Sequence, residues 1–285
     1  MREPRAVQEG VMFHVKHVSG FSAFTLKIAA IVGMACNHVA NVFCPLLPDA
    51  ASIVLYAAGG VTFPIMCFLL VEGYRHTSNV RKYALRLAVF AAISQVPYSL
   101  LWGATPNVLW TLLVGLGLLW AYDNLKPRWA FWALAALAYF GTAPFDWGGI
   151  GVAMALLFYL LKDRRFGTAI VMLVPFAATA FGPAQALANM SASGLPVLNE
   201  LVAIFDFNAE TAPLFFSYTD PGNHILQAGF YVANFAILGY ATLGFGAAAV
   251  LLSAYNGRRG RPIKFFFYAF YPAHLLAIWL LSLIL

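Results

Sequence analysis

The sequence predicts an all-α fold, a polytopic integral membrane helix bundle of about nine transmembrane helices, with eight to ten as the bounds. Three observations lead there. Hydrophobic residues make up 62% of the chain and charged residues 10%, and mean hydropathy is +0.77, well outside the soluble range. Apolar stretches near the roughly 20 residues that a spanning helix needs recur along the chain. Lysines and arginines gather between alternate pairs of those stretches, the pattern that orients membrane proteins.

Residues 1–22 read as a polar arm carrying Arg2, Arg5 and Lys16. The first span, 24–43, runs on into further membrane segments rather than a small-residue cleavage site, so no cleavable signal peptide is expected. Further spans are expected near 51–72, 83–101, 108–122, 129–141, 148–161, 167–187, 228–252 and 264–285. The 129–141 and 148–161 pair, parted by "GTAPFDWG", is either two tightly joined helices or one re-entrant hairpin. Residues 188–227 are expected to be a long loop, holding Glu200, Asp206, Glu210, Asp220 and His224 with no cation.

All 17 lysines and arginines fall on one side of this arrangement. With Glu3, Glu9, Glu72, Asp123 and Asp163 that side carries +12, and the remaining six acids give the other side −6, together the net +6. The positive-inside rule then puts the N-terminus in the cytoplasm and the 188–227 loop outside, in a cell (inner) membrane. One loop exceeds the needs of topology. "EGYRHTSNVRKYALRL" packs Arg75, His76, Arg81, Lys82 and Arg86 around a Thr77-Ser78-Asn79 helix-capping run. Free backbone N–H groups, hydroxyls and cations together suit a phosphate; the plainer reading is a headgroup anchor.

"FTLKIAAIVGMACNHVANVF" sets Lys27 and His38 eleven residues apart, on one helix face and roughly 16 Å along the axis. Ionisable groups at that depth usually face an interior or a wet cavity. In the last span, "KFFFYAFYPAHLLAIW", Pro272 breaks the hydrogen-bond ladder, and Tyr271 and His274 share a face. Two mid-membrane histidines indicate proton chemistry. A proton-coupled transporter would also call for mid-membrane carboxylates, but Glu72 is expected on the cytoplasmic side and Asp146 at the outer edge. No internal repeat is visible either. Cys36, Cys44 and Cys67 could carry an acyl group, but unpaired membrane cysteines are more often small packing residues.

The chain resembles the TraX family, membrane proteins associated with N-terminal acetylation of conjugative pilin. More distantly, it is similar to membrane acyltransferases that O-acetylate surface glycans. The likeness rests on "LKIAAIVGMACNHVANVF", on "FPIMCFLLVEGYRHTSNVRKYALRLAVFAAISQVPYSL", on "NVLWTLLVG" around Asn107 and Thr111, on "DWGGIGV" and on "FFYAFYPAHL". The basic residue, ten positions, then histidine of the sugar-acetylating enzymes fits Lys27 and His38. Position 37 is Asn where the family pattern has Asp, and Gly60 stands where it has Arg.

The resemblance implies a single acyltransferase-like domain over 23–285 and transfer of an acyl group, most simply acetyl, from cytoplasmic acetyl-CoA. The acceptor would be an extracytoplasmic amine or hydroxyl, such as a protein N-terminus or a glycan. His38 would be the general base, with Tyr271 or His274 holding the oxyanion or relaying the proton and Asp146 receiving one from the acceptor. Lys27, Arg75, His76, Thr77, Arg81, Lys82 and Arg86 would hold the CoA phosphates, and Asn37 and Asn41 the acceptor. Membrane lipid is the surrounding partner; neither a metal nor nucleic acid is expected. The alternatives are a proton-coupled transporter and a catalytically silent scaffold of the same family.

Overall fold

The computed structural model of the chain describes residues 20–161, 166–192, 224–262 and 264–285. Residues 1–19 of the arm, Lys162, Asp163, Arg164 and Arg165, and Glu200, Asp206, Glu210 and Asp220 lie outside these, as do the side chains of His224 and Lys264.

Helix α1 (Ala23–Phe43) begins where Ser22 caps it, its Oγ accepting from the Thr25 N–H at 3.2 Å. A 3-10 turn (Cys44–Leu46) ends it at Pro45. The expected 51–72 span is two helices, α2 (Asp49–Gly59) and α3 (Thr62–His76), interrupted at Gly60-Val61. Asn79 caps α4 (Val80–Trp102), its Oδ1 taking the Lys82 N–H at 2.8 Å. Asn107 caps α5 (Val108–Asn124) in the same way at Leu109. Two separate 14-residue helices follow, α6 (Arg128–Gly141) and α7 (Gly148–Leu161).

Helix α8 (Gly167–Ala192) carries Pro175 and Pro183. Helix α9 (His224–Gly239) passes through a π-helical turn (Tyr240–Gly244) into α10 (Phe245–Ser253), and α11 (Lys264–Ser282) closes the chain. The loop expected at 188–227 is therefore shorter: helix occupies its first five and last four residues.

Among the described residues, five segments are long and apolar enough to cross a membrane: Ala23–Leu46, Asp49–His76, Val80–Trp102, Gly167–Asn189 and Val232–Ser253. Val108–Asn124, Gly148–Leu161 and Phe266–Ser282 are apolar but shorter. Helix α4 shows what surrounds them. Val89, Ile93, Val96 and Leu100 form an exposed stripe at three- and four-residue spacing, a face that water would penalise and lipid accepts. Among the described residues there is no strand, only an isolated bridge between Phe21 and Tyr255.

Helices α1, α3, α5 and α7 pack side by side at the centre, with α4 and α11 on one flank and α8 with α9 and α10 on the other. The main core joins Leu26, Phe63, Ile65, Leu116, Phe158 and Leu275 from five helices. Both helix interruptions meet at close range. A Cβ on Gly60 would sit 2.4 Å from the Tyr240 carbonyl oxygen, and one on Gly244 2.5 Å from the Gly60 Cα. The position where the family pattern has Arg is thus filled here by the backbone of the π turn.

Candidate functional site

A cavity of about 500 Å³ opens among α1, α3, α4 and α11 at the end of the bundle where the cations collect. Lys27, His76, Arg86 and Arg259 all line it, with Glu72 and Thr77. Arg259 arrives by a local device. The segment 254–262 folds over the start of α1, where the Arg258 and Arg259 carbonyls accept the Ala23 and Phe24 N–H groups at 2.8 and 3.2 Å. Those amides have no partner within their own helix, so capping α1 also fixes Arg259 above Lys27. The Lys27 ammonium lies 5.2 Å from the Phe267 ring centroid. The His76 Nδ1 donates to the Glu72 carbonyl at 2.9 Å, which turns its other nitrogen away from that bond.

Deeper in the bundle a second chamber of about 60 Å³ is lined by Asn37, His38, Val108, Asp146, Trp147 and Tyr240, among others. Met34, Met66 and Tyr271 line both spaces. They form the partition between a cationic cavity and a chamber holding the histidine.

His38 Nδ1 and His274 Nε2 are 2.8 Å apart, in rings only 8° from parallel. His274 Nδ1 is 2.9 Å from the Phe270 carbonyl oxygen. That oxygen can only accept, so His274 Nδ1 carries the proton; in the neutral ring Nε2 then accepts, and His38 Nδ1 donates to it. The chain of bonds leaves His38 Nε2 with its lone pair free. Trp102 packs against the His38 ring at 4.9 Å between centroids.

Asp146 stands in the α6–α7 loop on a pinned backbone. Its N–H donates to the Pro106 carbonyl at 2.9 Å, and its carbonyl accepts from Thr111 Oγ1 at 2.6 Å. Asn107 stiffens that neighbourhood, donating to the Ala91 carbonyl and to Gln95 Oε1. Trp147 then takes φ 64°, a left-handed conformation that a bulky residue adopts only under strong constraint; stacking on Phe63 at 4.1 Å supplies part of it. The turn aims the Asp146 carboxylate inward, where the Tyr98 hydroxyl and the Trp147 N–H donate to it. Burial pushes this carboxyl up to about 6 against those two bonds.

The structure thus brings His38, Tyr271 and Asp146 to one chamber, with His274 directly behind His38. Asp146 reaches this chamber from the α6–α7 loop. Of the seven residues expected at the donor site, Lys27, His76, Thr77 and Arg86 line the larger cavity. Arg75, Arg81 and Lys82 do not. Arg75 gives a guanidinium N–H to the Tyr159 carbonyl at 2.9 Å and lies over that ring, beside a carboxylate, Asp123, that takes the Tyr74 and Tyr159 hydroxyls. Arg81 and Lys82 point outward on the exposed side of α4.

Asn37 lines the chamber, but Asn41 is spent on it, donating to the Asn37 carbonyl and Oδ1 at 2.8 and 3.2 Å. None of the three cysteines lines either space. Cys67 sits against the Gly151 carbonyl and Cys44 against that of Asn41. Sequence reasoning missed Arg259, which stood in a basic run indistinguishable from a topology anchor, and Tyr240, for which there was no signal. Among the described residues no group of His, Cys, Asp and Glu is arranged to hold a metal.

Comparison with known proteins matches this sequence to a family. The family profile described as TraX protein covers residues 22–216 and 222–282. The chain is 31% identical over 195 residues to a probable fimbrial assembly protein, FimC of serogroup H1, from Dichelobacter nodosus; the match covers 62% of this chain and 78% of that protein. No solved structure matches significantly. The profile runs through the lysine and histidine of the first helix, the basic loop, the pinned aspartate and the histidine of the last helix, and the chain belongs to the TraX family.

Proposed function

We propose that the protein is a membrane-embedded acyltransferase, using acyl-CoA from the cytoplasm to acylate an amine or hydroxyl that enters from the other side. The observation that carries this reading is the free lone pair of His38 Nε2, fixed by two successive hydrogen bonds, in a chamber that shares a wall with a cationic cavity. An acyl-CoA has phosphates at one end and a thioester at the end of a thin flexible arm. Lys27, Arg86 and Arg259 offer charge-assisted contacts to the phosphates. The arm then follows α1 inward, where roughly 16 Å of helical rise separates Lys27 from His38.

In the reaction an acceptor N–H or O–H attacks the thioester carbonyl carbon while His38 Nε2 takes its proton. The tetrahedral intermediate collapses, the C–S bond breaks, and the thiolate leaves as CoA-SH with the proton returned from His38. Acetyl is the simplest acyl group for a chamber of about 60 Å³. Given the fimbrial relative, an assembled surface subunit is the acceptor class to try first, as peptides with free N-termini.

The test is release of CoA thiol, and mass gain on the peptide, by purified protein in nanodiscs supplied with acetyl-CoA. Absence of both, with acetyl-CoA shown to bind, would replace this reading with a silent scaffold of the family. Uptake of a solute into proteoliposomes without acyl transfer would replace it with transport.

A further inference from the structure

Tyr271 is the polar group at the partition between the two spaces, where its neighbours in the shared wall are Met34 and Met66. The residue is 4% exposed, and its hydroxyl closes no hydrogen bond of good geometry. A buried hydroxyl without a partner costs on the order of 1–3 kcal/mol, so one at a cavity wall asks for a ligand atom. The backbone N–H of Val108 approaches the same oxygen, and Val108 begins the 17-residue helix α5.

Asn107 has already taken the next two free amides of that helix end, its Oδ1 accepting from Leu109 at 3.0 Å and its carbonyl from Trp110 at 3.0 Å. The Val108 N–H is left directed at the chamber it lines. A helix N-terminus favours negative charge, and here it stands beside a hydroxyl whose proton has nothing to bond to.

We infer that Tyr271 Oη–H, backed by the Val108 amide, is the oxyanion donor: it binds the carbonyl oxygen of the acyl group and stabilises the negative charge that oxygen carries after attack. This rests on the acyltransferase reading and specifies it. An acyl group carried from the cationic cavity to His38 has to pass the wall formed by Met34, Met66 and Tyr271. Its carbonyl carbon must then stand between the attacking atom, deprotonated by His38 Nε2, and a donor for the oxygen. As the acceptor bond forms, the carbonyl π pair moves to oxygen and is held by Tyr271 Oη–H; it returns when the C–S bond breaks and thiolate departs, so Tyr271 ends the cycle with the proton it began with.

The experiment compares wild type with Tyr271→Phe in nanodiscs, measuring kcat and KM for acetyl-CoA, affinity for CoA, thermal stability, and the ¹³C resonance of carbonyl-labelled acetyl-CoA bound without acceptor. Phe removes only an unpartnered hydroxyl. The expected result is a kcat lower by about 10²-fold, the usual effect of deleting one such donor, with KM and CoA affinity unchanged and Tm equal or higher. The bound carbonyl resonance should lie downfield of free acetyl-CoA in wild type and return toward it in the variant. Unchanged kcat, or a wild-type resonance that does not shift on binding, overturns the assignment while leaving acyl transfer in place. A lower Tm with kcat and KM changed together makes Tyr271 a packing residue and also overturns it. If wild type binds acetyl-CoA but transfers nothing, the acyltransferase reading fails, and this inference fails with it.

Discussion

His38 Nδ1 lies 2.8 Å from His274 Nε2, a bond between the first and last helices across 236 positions of sequence. Because the Phe270 carbonyl fixes the tautomer of His274, the pair has a direction, and the two histidines have different roles. In the acyl transfer proposed above, His38 would be the base, and His274 would hold its ring in orientation and tautomer.

The first prediction separates them. His38→Ala should lower acyl transfer by about 10²- to 10⁴-fold, as loss of a general base does, with CoA binding retained. His274→Leu should cost less and act on kcat rather than KM. His274→Gln should recover part of the loss, since an amide can accept from His38 and donate to the Phe270 carbonyl. Equal loss in both His274 variants would make that residue more than an orienting group.

The second prediction concerns which cations bind the donor. Arg86→Ala and Arg259→Ala should each weaken CoA binding by roughly 1.5–3 kcal/mol, the range for hydrogen bonds to charged groups, measured by calorimetry at fixed salt. Arg81→Ala and Lys82→Ala should leave affinity unchanged. Arg75→Ala should lower thermal stability without touching affinity, because its guanidinium is bound to the Tyr159 carbonyl.

Those five cations show where sequence legibility ends. The basic loop was readable as a cluster of cations, but Arg75 and Arg86 are separated by a turn whose geometry decides which faces the cavity, and composition carries no information on that. Arg259 enters through a strap whose backbone caps α1, a tertiary arrangement invisible in the run "GRRGR". Polar residues inside apolar helices gave His38, Tyr271 and His274 because each violates the hydropathy around it. Asp146 was legible as an acid in the α6–α7 loop, but hydropathy does not register that its N–H and C=O are pinned by Pro106 and Thr111 so that the residue lines the chamber. The helices were legible for the same reason the breaks were not: 51–72 and 228–252 are largely apolar, and their interruptions arise where Gly60 and Gly244 touch.

That contact yields a third prediction. Gly60→Ala would place a methyl group against the Tyr240 carbonyl, and Gly244→Ala one against Gly60. Both obstacles are backbone and cannot swing aside. Each substitution should destabilise the protein by about 1–3 kcal/mol, the range for overpacking, seen as a lower Tm in detergent. Ala at Gly117, where nothing lies within 4 Å of the added carbon, should be tolerated.

Orientation is tested separately. With the cation-lined cavity facing the cytoplasm, a cysteine at Arg81 should react with impermeant reagent only from the cytoplasmic side, and one at Ala143, exposed in the α6–α7 loop, only from the opposite side. Reversal would move the donor site out of reach of cytoplasmic acyl-CoA.

The last prediction follows from the Asp146 carboxyl, which burial raises from 3.8 to about 6. A raised value means that folding favours the neutral acid. The stabilisation is therefore complete below the unfolded value, near pH 4, and is lost as pH rises through about 6. At 1.36 kcal/mol for each tenfold change in proton affinity, that is roughly 3 kcal/mol between the two limits. Asp146→Asn keeps the neutral form at every pH, so its Tm should match wild type near pH 4 and exceed it at pH 8. Activity should move the opposite way: above pH 6 the wild-type carboxylate can take a proton from an incoming ammonium, whereas Asn cannot. Wild-type turnover should therefore rise through pH 6 with an amine acceptor, and the variant should lack that limb. A variant that is more stable at pH 8 yet keeps the full pH profile would confine Asp146 to shaping the loop.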